Sequence, residues 1–283
     1  MNQFKTIALL GVLTGLLVAI SYWIIGGPTG GFIGLIIAAI MNFSSWYFSD
    51  KIALAAYQAQ PVSQGEAPGL YNMVGQLANA ANLPMPGVYI IPSQAANAFA
   101  TGRDPNHAAV AVTEGIMNIL SEEELEGVIA HELTHIKNRD TLTQSVAATV
   151  AGAISLLAQM ASYGMFSSRS RNREGTNLIG LLLTVFLAPL AASVIQMAIS
   201  RAREFEADAG AAKITGNPRA LATALQRLDA GARQISLDAN PSFSPLLIVN
   251  NFSGQAMSNL FATHPPTEAR IKALLQIEQQ TLN

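Results

Sequence analysis

Four long apolar runs divide the chain. The first two, Thr6–Ile25 and Phe32–Phe48, contain no charged residue, and Gly26–Gly31 between them is predicted to be a tight turn. A helix of about 20 apolar residues can cross a hydrocarbon core of about 30 Å. We therefore predict a transmembrane hairpin over residues 1–48. A cleaved signal peptide is the alternative for the first run, but the second run follows at once and no small-residue cleavage site is evident.

The other two apolar runs lie in the second half of the chain. Val146–Phe166 and Leu178–Ser200 are joined by a hydrophilic loop that contains three arginines. The lengths of these runs favour a second transmembrane hairpin over residues 146–200, with a buried hairpin of a soluble core as the alternative. An antiparallel pair would bring the residues just before Val146 and just after Ser200 to the same side of the membrane.

Residues 49–145 and 201–283 are polar enough to lie in water, and we expect them to form the two parts of one domain. Their periodicity and turn residues predict helices, short strands and a capping box of Ser121 with Glu124. The predicted helices are Glu66–Leu83, Ser121–Asp140, Pro218–Arg233 and Pro266–Gln279, and the predicted strands are Gly87–Ile91, Asn97–Thr101 and His107–Thr113.

The amino-acid composition limits the kinds of partner and metal site that this chain can have. Half of the residues are hydrophobic (50%) and 12% are charged, against about 25% charged in ordinary soluble domains. A net charge of -2 gives no basic face for nucleic acid, so no nucleic-acid partner is expected. The chain has no cysteine, which excludes disulfides and thiolate zinc sites. A metal ion would have to be bound by histidine and carboxylate side chains.

One motif carries specific chemistry. His131-Glu132-Leu133-Thr134-His135 lies within the helix predicted from Ser121. Residues i and i+4 share a helical face about 6 Å apart along the axis, so both imidazoles can reach one Zn²⁺ at about 2.0 to 2.1 Å. Glu132 points to the side, where it could take a proton from a water at the metal. The motif therefore predicts a hydrolytic zinc site.

A catalytic zinc usually has a third protein ligand. The candidates are His107, His264 and the segment Arg201–Asp208, which the second hairpin would return beside the HExxH helix. On a helix, Asp208 lies about 40° from Glu204 and about 160° from Glu206. A carboxylate that supports a ligand histidine must approach the same site as the third ligand, so Asp208 favours Glu204 over Glu206.

These residues together resemble the HtpX-type membrane zinc metalloproteases, which are related to the CAAX prenyl proteases. The resemblance is carried by the HExxH motif, Arg203–Ala209, Asn97–Gly102 and His264-Pro265-Pro266 before Arg270. It implies His131, His135 and Glu204 as zinc ligands, Glu132 as the catalytic base and Asp208 as support for a ligand. It also makes His264 and Arg270 candidates for transition-state contacts, and Asn97, Ala98 and Phe99 candidates for binding substrate as an added strand.

The expected fold class is a mainly α membrane protein with a small β element: four transmembrane helices plus a zincin-like HExxH metalloprotease domain. The first part of that domain, residues 49–145, would hold the HExxH helix, and the second part, residues 201–283, the third zinc ligand. The expected partners are the lipid bilayer and polypeptide substrates, chiefly membrane proteins, and the sequence favours no particular oligomeric state.

The resemblance implies a zinc endopeptidase of the bacterial inner (plasma) membrane that removes misfolded or damaged membrane proteins. Basic residues beside the runs favour a cytoplasmic catalytic side; they are Lys5, Lys51, Lys137, Arg139, Arg201 and Arg203. The alternative is a zinc-binding membrane scaffold or regulator without turnover, which the intact Glu132 disfavours. A transporter is disfavoured because the runs contain no Asp, Glu, Lys, Arg or His that could mark an ion path.

Overall fold

The computed structural model describes residues 2–162, 193–194, 200–232, 246–248 and 265–281. In these residues the chain is mainly helical with one small sheet, as the sequence predicts. The helices are α1 (Asn2–Ser21), α2 (Gly27–Tyr47), α3 (Ser49–Ala56), α4 (Pro68–Ala80), α5 (Glu114–Ile119), α6 (Glu122–Lys137), α7 (Thr141–Ser162), α8 (Arg201–Thr215), α9 (Pro218–Ala232) and α10 (Thr267–Thr281). The strands are β1 (Gln60–Pro61), β2 (Gly87–Ile91), β3 (Ala98–Gly102) and β4 (Ala108–Thr113).

Helices α1 and α2 form a hairpin that reverses at two glycines. Gly26 and Gly27 have φ of 98° and 63°, a region that side chains disfavour, and Pro28 lies in the first turn of α2. The predicted turn over Gly26–Gly31 is therefore too long, because two glycines complete the reversal and the rest of the segment is helical. The two helices pack closely, since a Cβ at Gly34 would overlap the Leu17 carbonyl.

The hairpin is long and apolar enough to cross a membrane. Phe4–Ser21 and Gly27–Tyr47 are the candidate spans among the described residues, and only 22% of each span is buried inside the fold. Helix α7 packs against α1 through Leu9, Leu13 and Val150. The described part of the third apolar run lies in α7. The fourth run lies outside the described residues, apart from Ser193, Val194 and Ser200.

The sheet lies beside α6 and has the order β1-β2-β4-β3. Strands β2 and β4 are parallel, and β3 pairs with β4 antiparallel, with Phe99 opposite Ala111. Helix α6 packs between this sheet and helices α4, α8 and α9 around one hydrophobic core. The core places the middle of α6 next to the outer edge of β3.

Helix α6 ends three residues before the predicted limit of Asp140. Arg139 has a left-handed φ of 58°, and the Asp140 N–H donates to the His135 carbonyl at 3.0 Å. This turn ends α6 at Lys137, and α7 starts at Thr141. It also folds the Asp140 side chain back towards His135, which a continuous helix would not do.

Candidate metal centre

Helix α6 begins at the predicted capping box. The Glu124 N–H donates to Ser121 Oγ at 3.3 Å, and the Ser121 N–H donates to Glu124 Oε2 at 2.8 Å. From this fixed start, the helical period turns His131 and His135 towards α8, where both are almost fully buried. Burial of two imidazoles on one face requires polar partners, and α8 supplies them.

His131, His135 and Glu204 converge on one point. The two Nε2 atoms are 3.2 Å apart, His131 Nε2 is 3.8 Å from Glu204 Oε2, and His135 Nε2 is 3.6 Å from Glu204 Oε1. Ligand atoms about 2.0 to 2.1 Å from a tetrahedral metal ion are about 3.3 Å from one another. The three side chains are therefore positioned to hold a metal ion with little movement, and they are the one such group among the described residues.

A carboxylate behind His131 sets the orientation of this ring. His131 Nδ1 is 2.9 Å from Asp208 Oδ1, so a proton on Nδ1 leaves the Nε2 lone pair facing the metal position. Arg270 donates two hydrogen bonds to Asp208, at 2.8 and 2.6 Å, and its guanidinium is buried. Burial alone would raise the pKa of Asp208, but these bonds and the charge of Arg270 lower the pKa to about 2. Asp208 is therefore ionised.

A second carboxylate, which the sequence analysis did not identify, holds His135 in the same way. His135 Nδ1 is 3.1 Å from Asp140 Oδ2, and Arg203 Nη1 donates to Asp140 Oδ1 at 2.9 Å. Helical spacing gave no signal for this contact, because a residue five positions after His135 on a continuous helix would lie about 140° from it. Burial alone would raise the pKa of Asp140, but its bonds to His135 and Arg203 keep the pKa below its ordinary value.

Glu132 lies next to the metal position and contacts the edge of the sheet. The Ala100 N–H, which points away from β4, donates to Glu132 Oε2 at 2.7 Å. Burial raises the pKa of Glu132 to about 7, against the opposing effects of His135 and of this hydrogen bond. A carboxyl with a pKa near neutrality can both accept and return a proton at physiological pH.

The charges around the site favour a divalent cation. Four buried carboxylates and two arginines surround it; they are Glu132, Asp140, Glu204 and Asp208 with Arg203 and Arg270. When all six side chains are ionised, the four negative and two positive charges leave a net charge of two negative units at the site. Burial would lower the pKa of His135, yet the Asp140 hydrogen bond and the charges of Glu204 and Glu132 raise it to about 9. A cation at the three ligand atoms would take the place of that proton.

The other predicted site residues lie in several places. Glu206 is exposed and turned away from the cluster, and His107 is exposed and paired with Asp104 at 2.9 Å. Asn97, Ala98 and Phe99 are buried, and Phe99 packs against Tyr57. His264 lies outside the described residues.

The close approach of α8 to α6 depends on Gly210. A Cβ at this position would overlap the Thr134 methyl group, which lies between the two histidines along α6. We expect Gly210→Ala to push α8 away and to weaken metal binding by about 10- to 100-fold, the range typical of disturbed ligand support. Metal titration of the purified protein measures this change.

The matched control shortens the Thr134 side chain, with which a Cβ at Gly210 would clash. Thr134→Ala deletes the methyl and hydroxyl groups that a Cβ at Gly210 would meet, so the double variant should recover most of the lost affinity. Equal metal affinity in Gly210→Ala and the wild type would show that this contact does not position Glu204.

Two histidines one helical turn apart, a glutamate beside them and a converging carboxylate from a second helix are the arrangement typical of a metalloprotease site. Residues 65–278 match the model of peptidase family M48, and the chain belongs to this family. The chain is 70% identical over 282 residues to "Protease HtpX homolog" of Nostoc punctiforme, covering 99% of this chain and 97% of the relative. It is 59% identical to the protein of the same name from Acaryochloris marina, with 99% and 96% covered.

A solved structure shares the fold. The crystal structure of S. mikatae Ste24p superposes with a TM-score of 0.51 at 20% sequence identity, covering 96% of this chain. The chain spans 65% of the length of that structure. The family and the relatives make this protein an HtpX-type membrane metalloprotease, so the expectation of a metal-dependent peptide hydrolase is confirmed.

Proposed function

We propose that the protein is an integral-membrane zinc endopeptidase that cleaves misfolded or damaged membrane proteins. One observation carries the catalytic part of the proposal: Glu132, with its pKa raised to about 7, lies beside three converging ligand side chains. Two imidazole nitrogens and a carboxylate, with an open fourth position, are the ligand set typical of catalytic zinc.

His131, His135 and Glu204 would hold the zinc ion. When bound, zinc would supply a Lewis acid that acidifies water and polarises the peptide carbonyl. Asp208 and Asp140 would keep the two histidines with Nε2 turned to the metal. Arg270 would act as a positioning residue, because its guanidinium is engaged with Asp208 and lies 3.7 Å from Glu204 Oε2.

Glu132 would transfer the proton. Ala100 fixes one of its carboxylate oxygens, Oε2, which leaves Oε1 to take a proton from the attacking water. The same carboxyl would then return the proton to the amine that leaves. Burial favours the neutral form of the Glu132 carboxyl, which helps it to hold the proton between the two transfers.

Substrate would bind along the outer edge of β3. Ala98 and Ala100 turn their backbone polar groups away from β4, and the Ala98 carbonyl accepts from the Ile248 N–H at 3.3 Å. An extended polypeptide could take over such a bond and would lie directly beside Glu132. Since the side chains of Asn97, Ala98 and Phe99 are buried, they would contribute through the backbone, which gives affinity with little sequence preference.

The proposed location is the bacterial inner membrane, with four spans and a cytoplasmic catalytic side. The apolar outer surfaces of α1 and α2 support membrane embedding, and the basic residues near the ends of the runs support the orientation. A protease with its active site next to the bilayer meets polypeptides that leave the membrane. This placement supports membrane proteins as the substrate class.

The topology can be tested without background labelling, because the chain has no cysteine. Thr29→Cys lies after the reversal between α1 and α2, and Lys213→Cys lies exposed on α8. A membrane-impermeant thiol reagent should label Thr29→Cys in intact spheroplasts and Lys213→Cys only after permeabilisation. Labelling of both in intact cells would contradict the spanning hairpin.

The activity is tested with an unfolded membrane protein as substrate. The purified full chain should cleave it, a chelator should stop cleavage, and added Zn²⁺ should restore it in step with bound zinc. Cleavage that continues after complete metal removal would refute the proposal. A chain that binds zinc but never cleaves would instead support the scaffold alternative.

A further inference from the structure

A cavity lined mainly by polar and charged residues lies at the junction of the membrane hairpin and the protease domain, with Asp140 between it and the metal position. Its volume is about 600 Å³, within the range of about 300 to 1,000 Å³ typical of ligand sites. Its lining includes Thr6 of α1, Thr143 of α7 and three arginines from three separate segments, Arg103, Arg139 and Arg203. The function proposed above does not use this cavity.

The charges of the lining suit a single negative charge. Asp140 and Glu206 are the acidic residues of the lining, so three arginines against two carboxylates leave one positive charge. Asp140 is shared between Arg203 and His135, and the contact of Arg103 with Asp104 is long, at 3.7 Å. Arginine forks match the oxygen atoms of a phosphate, with which they form charge-assisted hydrogen bonds.

The position of the cavity points to a lipid as the source of the phosphate. Arg103 stacks over Tyr47 at 4.6 Å and donates to the Tyr47 carbonyl at 3.2 Å. Tyr47 belongs to an exposed aromatic group at the end of α2, which also contains Phe43, Trp46 and Phe48. Such aromatic groups mark the headgroup layer of a bilayer. The lining residues Thr6, Leu142 and Thr143 are at the ends of α1 and α7 that meet this same layer.

We infer that this cavity binds the phosphate headgroup of an anionic phospholipid, a monoanionic phosphodiester such as that of phosphatidylglycerol. Arg103 and Arg139 contact the phosphate, and Arg203 faces it from the side that holds Asp140. The inference rests on the membrane embedding proposed above. The membrane embedding is tested separately by thiol labelling. A wrong topology can therefore be distinguished from an absence of lipid binding.

The experiment measures lipid affinity of the delipidated full chain in a neutral detergent. Phosphatidylglycerol, phosphatidylcholine and inorganic phosphate are titrated separately, and bound lipid and the thermal midpoint are recorded. We expect phosphatidylglycerol to bind and to raise the midpoint, and phosphatidylcholine to do neither. The R103Q/R139Q variant should lose about tenfold or more in phosphatidylglycerol affinity, as removal of charge-assisted bonds to phosphate requires.

The matched control removes two basic residues that do not line the cavity. Lys137 and Arg201 are exposed near the same face, so K137Q/R201Q has the same net charge as R103Q/R139Q. This control should keep the affinity within about twofold, because exposed charges are screened. Equal losses in the two double variants, or equal binding of the two lipids, would overturn the inference.

Two further outcomes decide the source of the ligand. Binding of inorganic phosphate with the same loss in R103Q/R139Q would support phosphate recognition and assign it to a soluble phosphate. Loss of peptide cleavage by R103Q/R139Q in lipid-free detergent, with metal content unchanged, would show that the cavity receives the polypeptide substrate and would overturn the lipid assignment.

Discussion

Glu132→Gln should fold and bind metal as the wild type does and should lose peptide cleavage by about 10²- to 10⁴-fold, the range that a general base contributes. The amide can still accept the Ala100 hydrogen bond through its oxygen, so the edge of β3 should stay in place. It cannot take a proton from water. Cleavage rate, metal content and thermal midpoint of the purified variant test these three statements together.

Glu122→Gln is the matched control for this variant. Glu122 is exposed in the first turn of the same helix, so its substitution makes the same change in charge away from the site. It should leave the cleavage rate within about twofold of the wild type, as exposed substitutions usually do. Wild-type cleavage by Glu132→Gln would remove Glu132 from the role of base.

Glu204→Ala should lose bound metal and activity, whereas Glu206→Ala should keep both. Glu204 is buried with its carboxylate 3.6 and 3.8 Å from the two histidines, and Glu206 is exposed on the other side of α8. Loss of a ligand should weaken metal binding by more than about 100-fold, beyond the effect of losing a supporting residue. Metal content measured across a zinc titration checks the prediction.

If Glu204→Ala does not fold, Glu204→Gln tests the same ligand assignment. The amide keeps the size of the side chain and removes the charge, so the variant should fold and still bind metal more weakly than the wild type. The reverse pattern, with metal lost in Glu206→Ala and kept in both Glu204 variants, would refute the choice of Glu204 as the third ligand.

Glu204 and Glu206 show which part of the site can be predicted from helical periodicity alone. Once Arg201–Thr215 is taken as a helix, the angles alone turn Glu204 and Asp208 to one face and Glu206 to the other, and the structure has this arrangement. The supporting carboxylate of His135 could not be placed in the same way. Asp140 follows the end of α6, and its direction depends on the left-handed Arg139, which no periodic pattern encodes.

The local features of this protein follow from its amino-acid sequence. A run of apolar residues, the spacing of the HExxH motif and the capping box each act within one helix, so their consequences follow from the periods of the chain. They were enough for the metalloprotease class, the mainly helical fold and the first hairpin, and they predicted which side chains of α6 and α8 would share one face.

The packing of the folded chain sets which groups distant in sequence come into contact. The Ala100 hydrogen bond to Glu132, the Arg203 bond to Asp140, the close approach at Gly210 and the arginine-lined cavity all join segments far apart in the chain. Such contacts depend on how helices and the sheet pack, and close packing is set by the shapes of many side chains at once. For the same reason, the sequence left His107 among the candidate ligands, whereas the fold places it on the surface and pairs it with Asp104.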